Sequence, residues 1–145
     1  MSSTLTDFFE SQSDICVAFL FGSRARGAED AVDWDIAVTF DGTLDSSLDQ
    51  LARLERLRTE LTTALSCPAD LIDLIDLTRV PLNLCITVAE EGQILKGRQS
   101  LELFRFYQRA WSGQEEFHMR KEYDKRFEAH ASASGGNVVR AARRW

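Results

Sequence analysis

Residues Phe21 to Val38 read FGSRARGAEDAVDWDIAV. They begin where an unbroken apolar run ends. That run, Ile15 to Phe21 (ICVAFLF), is short and rich in β-formers, so it predicts a buried strand stopped by Gly22-Ser23. Gly22 to Val32 carries two glycines and four charges and predicts a loop or short helix. Trp34 to Phe40 (WDIAVTF) predicts a second strand, closed by the turn signal Asp41-Gly42.

Outward from this pair the pattern becomes helical. Leu5, Phe8 and Phe9 stand at i, i+3 and i+4, which predicts an amphipathic helix over Thr4 to Gln12. Leu48, Leu51, Leu54, Leu57, Leu61 and Leu65 recur every three or four residues, so a long helix follows, with Asp45 or Ser46 as its cap and Pro68 as its stop. Ala69 to Leu77 (ADLIDLIDL) predicts a third strand, although its acids at every third position also fit a helix. Thr78 to Glu91 predicts a short helix starting at Pro81, and Gly92 to Lys96 an extended piece. Ser100 to Ala131 reads as one long helix or two, with Gly113 as the break, before a small, polar and then basic tail to Trp145. The order predicts an α/β (α+β) fold: a small mixed sheet flanked by helices, with a C-terminal helical extension. The boundaries expected are 1–98 for the sheet domain, 99–131 for the extension and 132–145 for a flexible basic tail.

The 145 residues suit one domain, and 44% hydrophobic content supplies a core, which excludes global disorder. No apolar run approaches the roughly 20 residues of a membrane span. Met1 to Glu10 holds acids and no base, unlike a targeting peptide, so the expected location is cytoplasmic. Cys16, Cys67 and Cys85 are far apart among apolar residues and predict buried thiols. Two histidines, His118 and His130, are too few for a His-based metal cage. Residues 1–100 hold 17 acids and 8 bases, whereas residues 101–145 hold 6 acids and 9 bases. An acidic body repels a phosphate backbone, so direct nucleic-acid binding is not expected. It can still handle a phosphate substrate through a divalent metal.

Asp33 and Asp35 stand two apart at the head of a strand, so their side chains leave one face. Paired carboxylates repel, and a hard cation such as Mg²⁺ resolves the repulsion. Gly22 permits close backbone approach, Ser23 adds a hydroxyl, and Gly-Ser turns form anion-binding nests. Arg24 and Arg26 add charge-assisted donors. Each feature alone is ordinary; G-S-x9-D-x-D after an apolar strand is not. A third acid comes from Asp70, Asp73 or Asp76, and on a strand Asp73 points away from the other two. Either Asp73 or the pair Asp70 and Asp76 enters the site.

Strand, Gly-Ser, spacer, D-x-D strand, helix and acid-bearing strand together resemble the DNA polymerase β-like nucleotidyltransferase superfamily. GSRARG, DWDIAV and IDLIDL look like the minimal nucleotidyltransferases, the MNT antitoxins of HEPN/MNT toxin–antitoxin pairs. The resemblance covers about Cys16 to Lys96; Val32 stands where members usually have Ser. It implies the polymerase β-like fold, with ATP as substrate and two Mg²⁺ ions as cofactor. Gly22 and Ser23 would hold the triphosphate, with Arg24 and Arg26 as further phosphate contacts. Asp33 and Asp35 would bind metal, and Asp73 would be the third carboxylate, ligand or general base. Asp76 would then be structural or on the surface. The implied reaction moves AMP to a tyrosine of a HEPN RNase toxin and silences it. This chain lacks the R-x4-6-H signature of HEPN (Arg126 to His130 is R-x3-H), so the toxin would be a separate partner. Two other readings are an inactive antitoxin that acts by binding alone and a transferase for a small molecule such as an aminoglycoside. The latter usually needs an acceptor domain, and little chain follows Lys96.

Leu101, Leu103, Phe104, Phe106, Tyr107, Trp111 and Phe117 make the last third aromatic. They complete the core, form an interface helix, or do both on different faces. Arg120, Lys121, Lys125 and Arg126 alternate with acids and read as a solvated helix face.

Overall fold

The computed structural model describes residues 2–42 and 46–115. Helix α1 (Ser2–Glu10) leads into strand β1 (Ile15–Phe21), the four-residue helix α2 (Gly22–Ala25) and strand β2 (Trp34–Phe40). Helix α3 (Ser47–Leu65), a 3-10 turn (Ala69–Leu71) and strand β3 (Ile72–Asp76) follow. Helix α4 (Leu82–Glu91), strand β4 (Gln93–Lys96) and helix α5 (residues 101–115) complete the described chain.

The sheet is mixed, in the order β3-β2-β1-β4. Strand β1 runs antiparallel to β2 and β4, and β2 runs parallel to β3. A parallel pair needs a crossover, and α3 supplies it. Alternating side chains give the sheet two apolar faces. Ala18, Leu20, Trp34, Ile36, Val38 and Leu74 pack against α1 and α3. Val17, Phe19, Phe21 and Ala37 pack against α4 and α5. Phe19 is fully buried, with the Phe106 ring 5.3 Å away. Burying a side chain of this size stabilises by about 1.5–3 kcal/mol. Helix α5 thus completes the second apolar layer of the sheet.

Several local expectations are refined. Ser46, not Asp45, caps α3: its hydroxyl accepts from the Asp49 N–H at 3.1 Å. Only the middle of the leucine series is fully buried, at Leu57 and Leu61, while Leu48 and Leu51 are exposed. The expected strand Ala69–Leu77 begins instead with a 3-10 turn, because the Leu71 N–H bonds back to Pro68 O. Asp70 therefore lies outside the strand. The helix does not break at Gly113. That glycine is buried against α4, where any Cβ would collide with the Leu82 side chain. Helix propensity marks glycine as a breaker, but here helix contact demands the missing side chain. All three cysteines are free; Cys85 is buried, and Cys16 and Cys67 are half-buried. Phe117, both histidines, the basic run after Arg120 and the tail lie outside the described residues. No helix among the described residues is long and apolar enough to cross a membrane.

Candidate functional site

The end of β1 and the starts of β2 and β3 meet at one edge of the fold. Phe21 pairs with Asp35, and Asp35 pairs with Asp73 in parallel register. Residues paired in this way put their side chains on the same face. Asp35 and Asp73 therefore continue the line of Ala37 and Ile75 out of the α4/α5 core. Asp33, one residue ahead of β2, is exposed beside them. Asp35 is half-buried. Burial, then the carboxylates of Asp73 and Asp33, push its carboxyl above the usual aspartate range, and only Arg26 pulls the other way.

Gly22 explains its own identity here. Its φ is +72°, and the site of a Cβ is taken by the Asp35 carboxyl group, whose Cγ would lie 2.9 Å away. The α2 turn thus approaches Asp35 as closely as backbone can. Ser23 is half-buried in that turn, and no side chain caps its N-terminal end. The leading N–H groups of a helix lack intrahelical partners, so this end suits an anion.

Two long-range contacts strap α2 down. The Gln93 amide donates to Ala25 O at 2.9 Å, and Arg26 pairs with Glu91 at 3.0 Å. Arg24 is engaged differently, through the carbonyls of Val32 and Asp33 at 3.0 Å each. Neither Gln93 nor Glu91 carries a local sequence signal, since their partners are 68 and 65 residues away.

The structure keeps Asp70 and Asp76 away from this face. Asp70 is exposed on the 3-10 turn. Asp76 is only 4% exposed, and its Oδ1 accepts from the Thr78 N–H and hydroxyl at 2.9 and 2.8 Å. It closes the turn after β3.

Among the described residues, no three His, Cys, Asp or Glu side chains are arranged to hold a metal ion as they stand. The donor chemistry nevertheless fits a hard cation. Asp35 is raised by burial and further by the carboxylates of Asp73 and Asp33, and a divalent ion relieves that like-charge repulsion. Asp33, Asp35 and Asp73 are the side chains that would hold such an ion.

Residues 3–101 match the family model described as Polymerase beta, Nucleotidyltransferase. Three solved structures share the fold. A toxin–antitoxin complex with AMP-PNP is 23% identical, covering 95% of this chain and 98% of that one, at a TM-score of 0.59. A tri-AMPylated Shewanella oneidensis HEPN toxin in complex with MNT antitoxin is 24% identical, covering 89% and 98%, at 0.59. The toxin–antitoxin MntA-HepT is 21% identical, covering 96% and 99%, at 0.54. No curated protein matches the chain.

Proposed function

The chain belongs to the polymerase beta nucleotidyltransferase family, and from that premise we propose that it is an antitoxin that transfers AMP from ATP to a tyrosine of a HEPN RNase partner. The observation that carries the reading is the meeting of Asp33, Asp35 and Asp73 on one face, directly against the Gly22-Ser23 turn. Two of the similar solved folds are complexes whose descriptions name AMP-PNP and an AMPylated toxin, and this supports the choice of nucleotide and acceptor.

The roles follow from placement. The uncapped N–H groups of Gly22 and Ser23 and the Ser23 hydroxyl would bind the triphosphate. Arg26, already facing Asp35 electrostatically, would balance phosphate charge. Asp33, Asp35 and Asp73 would hold Mg²⁺, which supplies charge neutralisation at the phosphates when bound. The tyrosine oxygen would attack the α-phosphorus, the bond to the β-phosphate oxygen would break, and pyrophosphate would leave. Asp73, exposed at the rim, would accept the phenolic proton. The acceptor needs no wall from this chain, because a protein brings its own surface.

Radiolabelled ATP, Mg²⁺ and the purified HEPN partner test the proposal. Label should move to the partner with the wild-type chain and disappear with Asp33→Ala and Asp35→Ala. Label that persists in both variants contradicts the site. Pyrophosphate release with an antibiotic panel and no partner contradicts the acceptor.

A further inference from the structure

We infer that Arg24 is a positioning residue that clamps the backbone of Asp33, and not a phosphate ligand. The Arg24 Nε donates to Asp33 O at 3.0 Å, and Nη2 donates to Val32 O at 3.0 Å. The guanidinium carbon lies 3.7 Å from the centre of the Trp34 ring. Two donors of the fork and the flat face of the group are thus engaged together by Val32, Asp33 and Trp34. Lysine can supply a charge but neither the fork nor the flat face.

The stacking platform is itself fixed. Trp34 is 4% exposed and belongs to the core beneath α1 and α3. Alternation along β2 sends Trp34 to the face opposite Asp35. A guanidinium stacked on Trp34 therefore sits across the strand from the carboxylates and from any phosphate bound to them. The clamp also meets a need. Residues 28–33 lie outside helix and strand, and Val32 is exposed, so little else holds Asp33 at its entry to the sheet. The two arginines of the turn divide the work: Arg26 pairs with Glu91 and acts on Asp35 through its charge, and Arg24 braces the backbone that presents Asp33.

This inference rests on the proposed transferase reading, since it takes Asp33 as a working carboxylate. The test pairs steady-state AMP transfer with amide hydrogen exchange of the ligand-free full chain, for wild type, Arg24→Lys and Arg24→Ala. Both variants should lose about tenfold to a hundredfold in kcat, the scale of a misplaced catalytic group. KM for ATP should stay within about twofold. Exchange across residues 28–33 should rise in both, with no rescue by lysine. Unchanged exchange, or a KM for ATP that rises while kcat holds, overturns the inference. A wild-type chain that transfers no AMP removes the proposed function, and exchange, which needs no substrate, still decides the clamp.

Discussion

Asp14 and Asp35 stand at opposite ends of the central strands, and their surroundings drive them in opposite directions. Asp14 precedes β1 and meets Arg53, whose Nε and Nη2 donate to its two oxygens at 2.6 and 2.9 Å. Arg53 is buried, and its Nη2 also donates to Gln12 Oε1 at 2.8 Å. The hydrogen-bonded guanidinium holds the Asp14 carboxyl below the usual range. Asp35 is raised by burial and then by the like charges of Asp73 and Asp33. One end of the sheet pairs its charge; the other gathers carboxylates that only Arg26 offsets in part. The two carboxylates are told apart here by what faces them, not by residue type.

That contrast breaks most visibly at the paired end. Arg53→Ala leaves Asp14 without its partner and should cost about 3 kcal/mol, the scale of breaking a buried pair and here reduced by Asp14's partial exposure. A urea melt reads it. At the other end, Gly22→Ala must force a side chain into the left-handed region and against Asp35. It should cost about 2 kcal/mol in the same melt and lower AMP transfer further than this loss of folded protein explains.

The pH responses of the two aspartates should also oppose. The stability from Asp14, with its depressed carboxyl, is present above the ordinary aspartate value near 3.8 and is lost as pH falls through the folded value. Asp35, raised in the fold, destabilises it once the pH passes that ordinary value, and fully so above the folded one. Asp35→Asn should therefore raise the melting temperature at pH 7, and the gain should vanish below about pH 3.8. Melting Asp14→Asn and Asp35→Asn beside wild type from about pH 3 to pH 8 should give differences of opposite sign. The smallest effect belongs to the exposed Arg26–Glu91 pair: Glu91→Ala should shift stability by under about 0.5 kcal/mol.

Much of this was readable in advance because it is local. The apolar run before Gly22-Ser23 and the alternation of WDIAVTF place β1, β2 and the shared face of Asp33 and Asp35 within a few residues of chain. Parity along IDLIDL separates Asp73 from Asp76, and the register with β2 sets Asp73 beside Asp35. Parity misleads at Asp70, because Pro68 nucleates a turn where alternation assumes a strand. The unreadable parts depend on distant partners. Arg53 sits in a leucine-spaced helix, yet it is buried, and its partner Asp14 lies 39 residues earlier. Arg24 offers the same charge as Arg26 in GSRARG, and only the seating of Trp34 tells their roles apart. Gly113 reads as a helix break until Leu82 is seen against it.

The claim that the crowded carboxylates await a nucleotide and its metal can be tested by melting wild type and Asp35→Asn with and without millimolar ATP and Mg²⁺. Without ligand, Asp35→Asn should be the more stable chain; with ligand, wild type should rise by RT ln(1 + [L]/Kd) while the variant barely moves. An Asp35→Asn chain no more stable than wild type alone, and stabilised equally by ATP and Mg²⁺, would contradict the account.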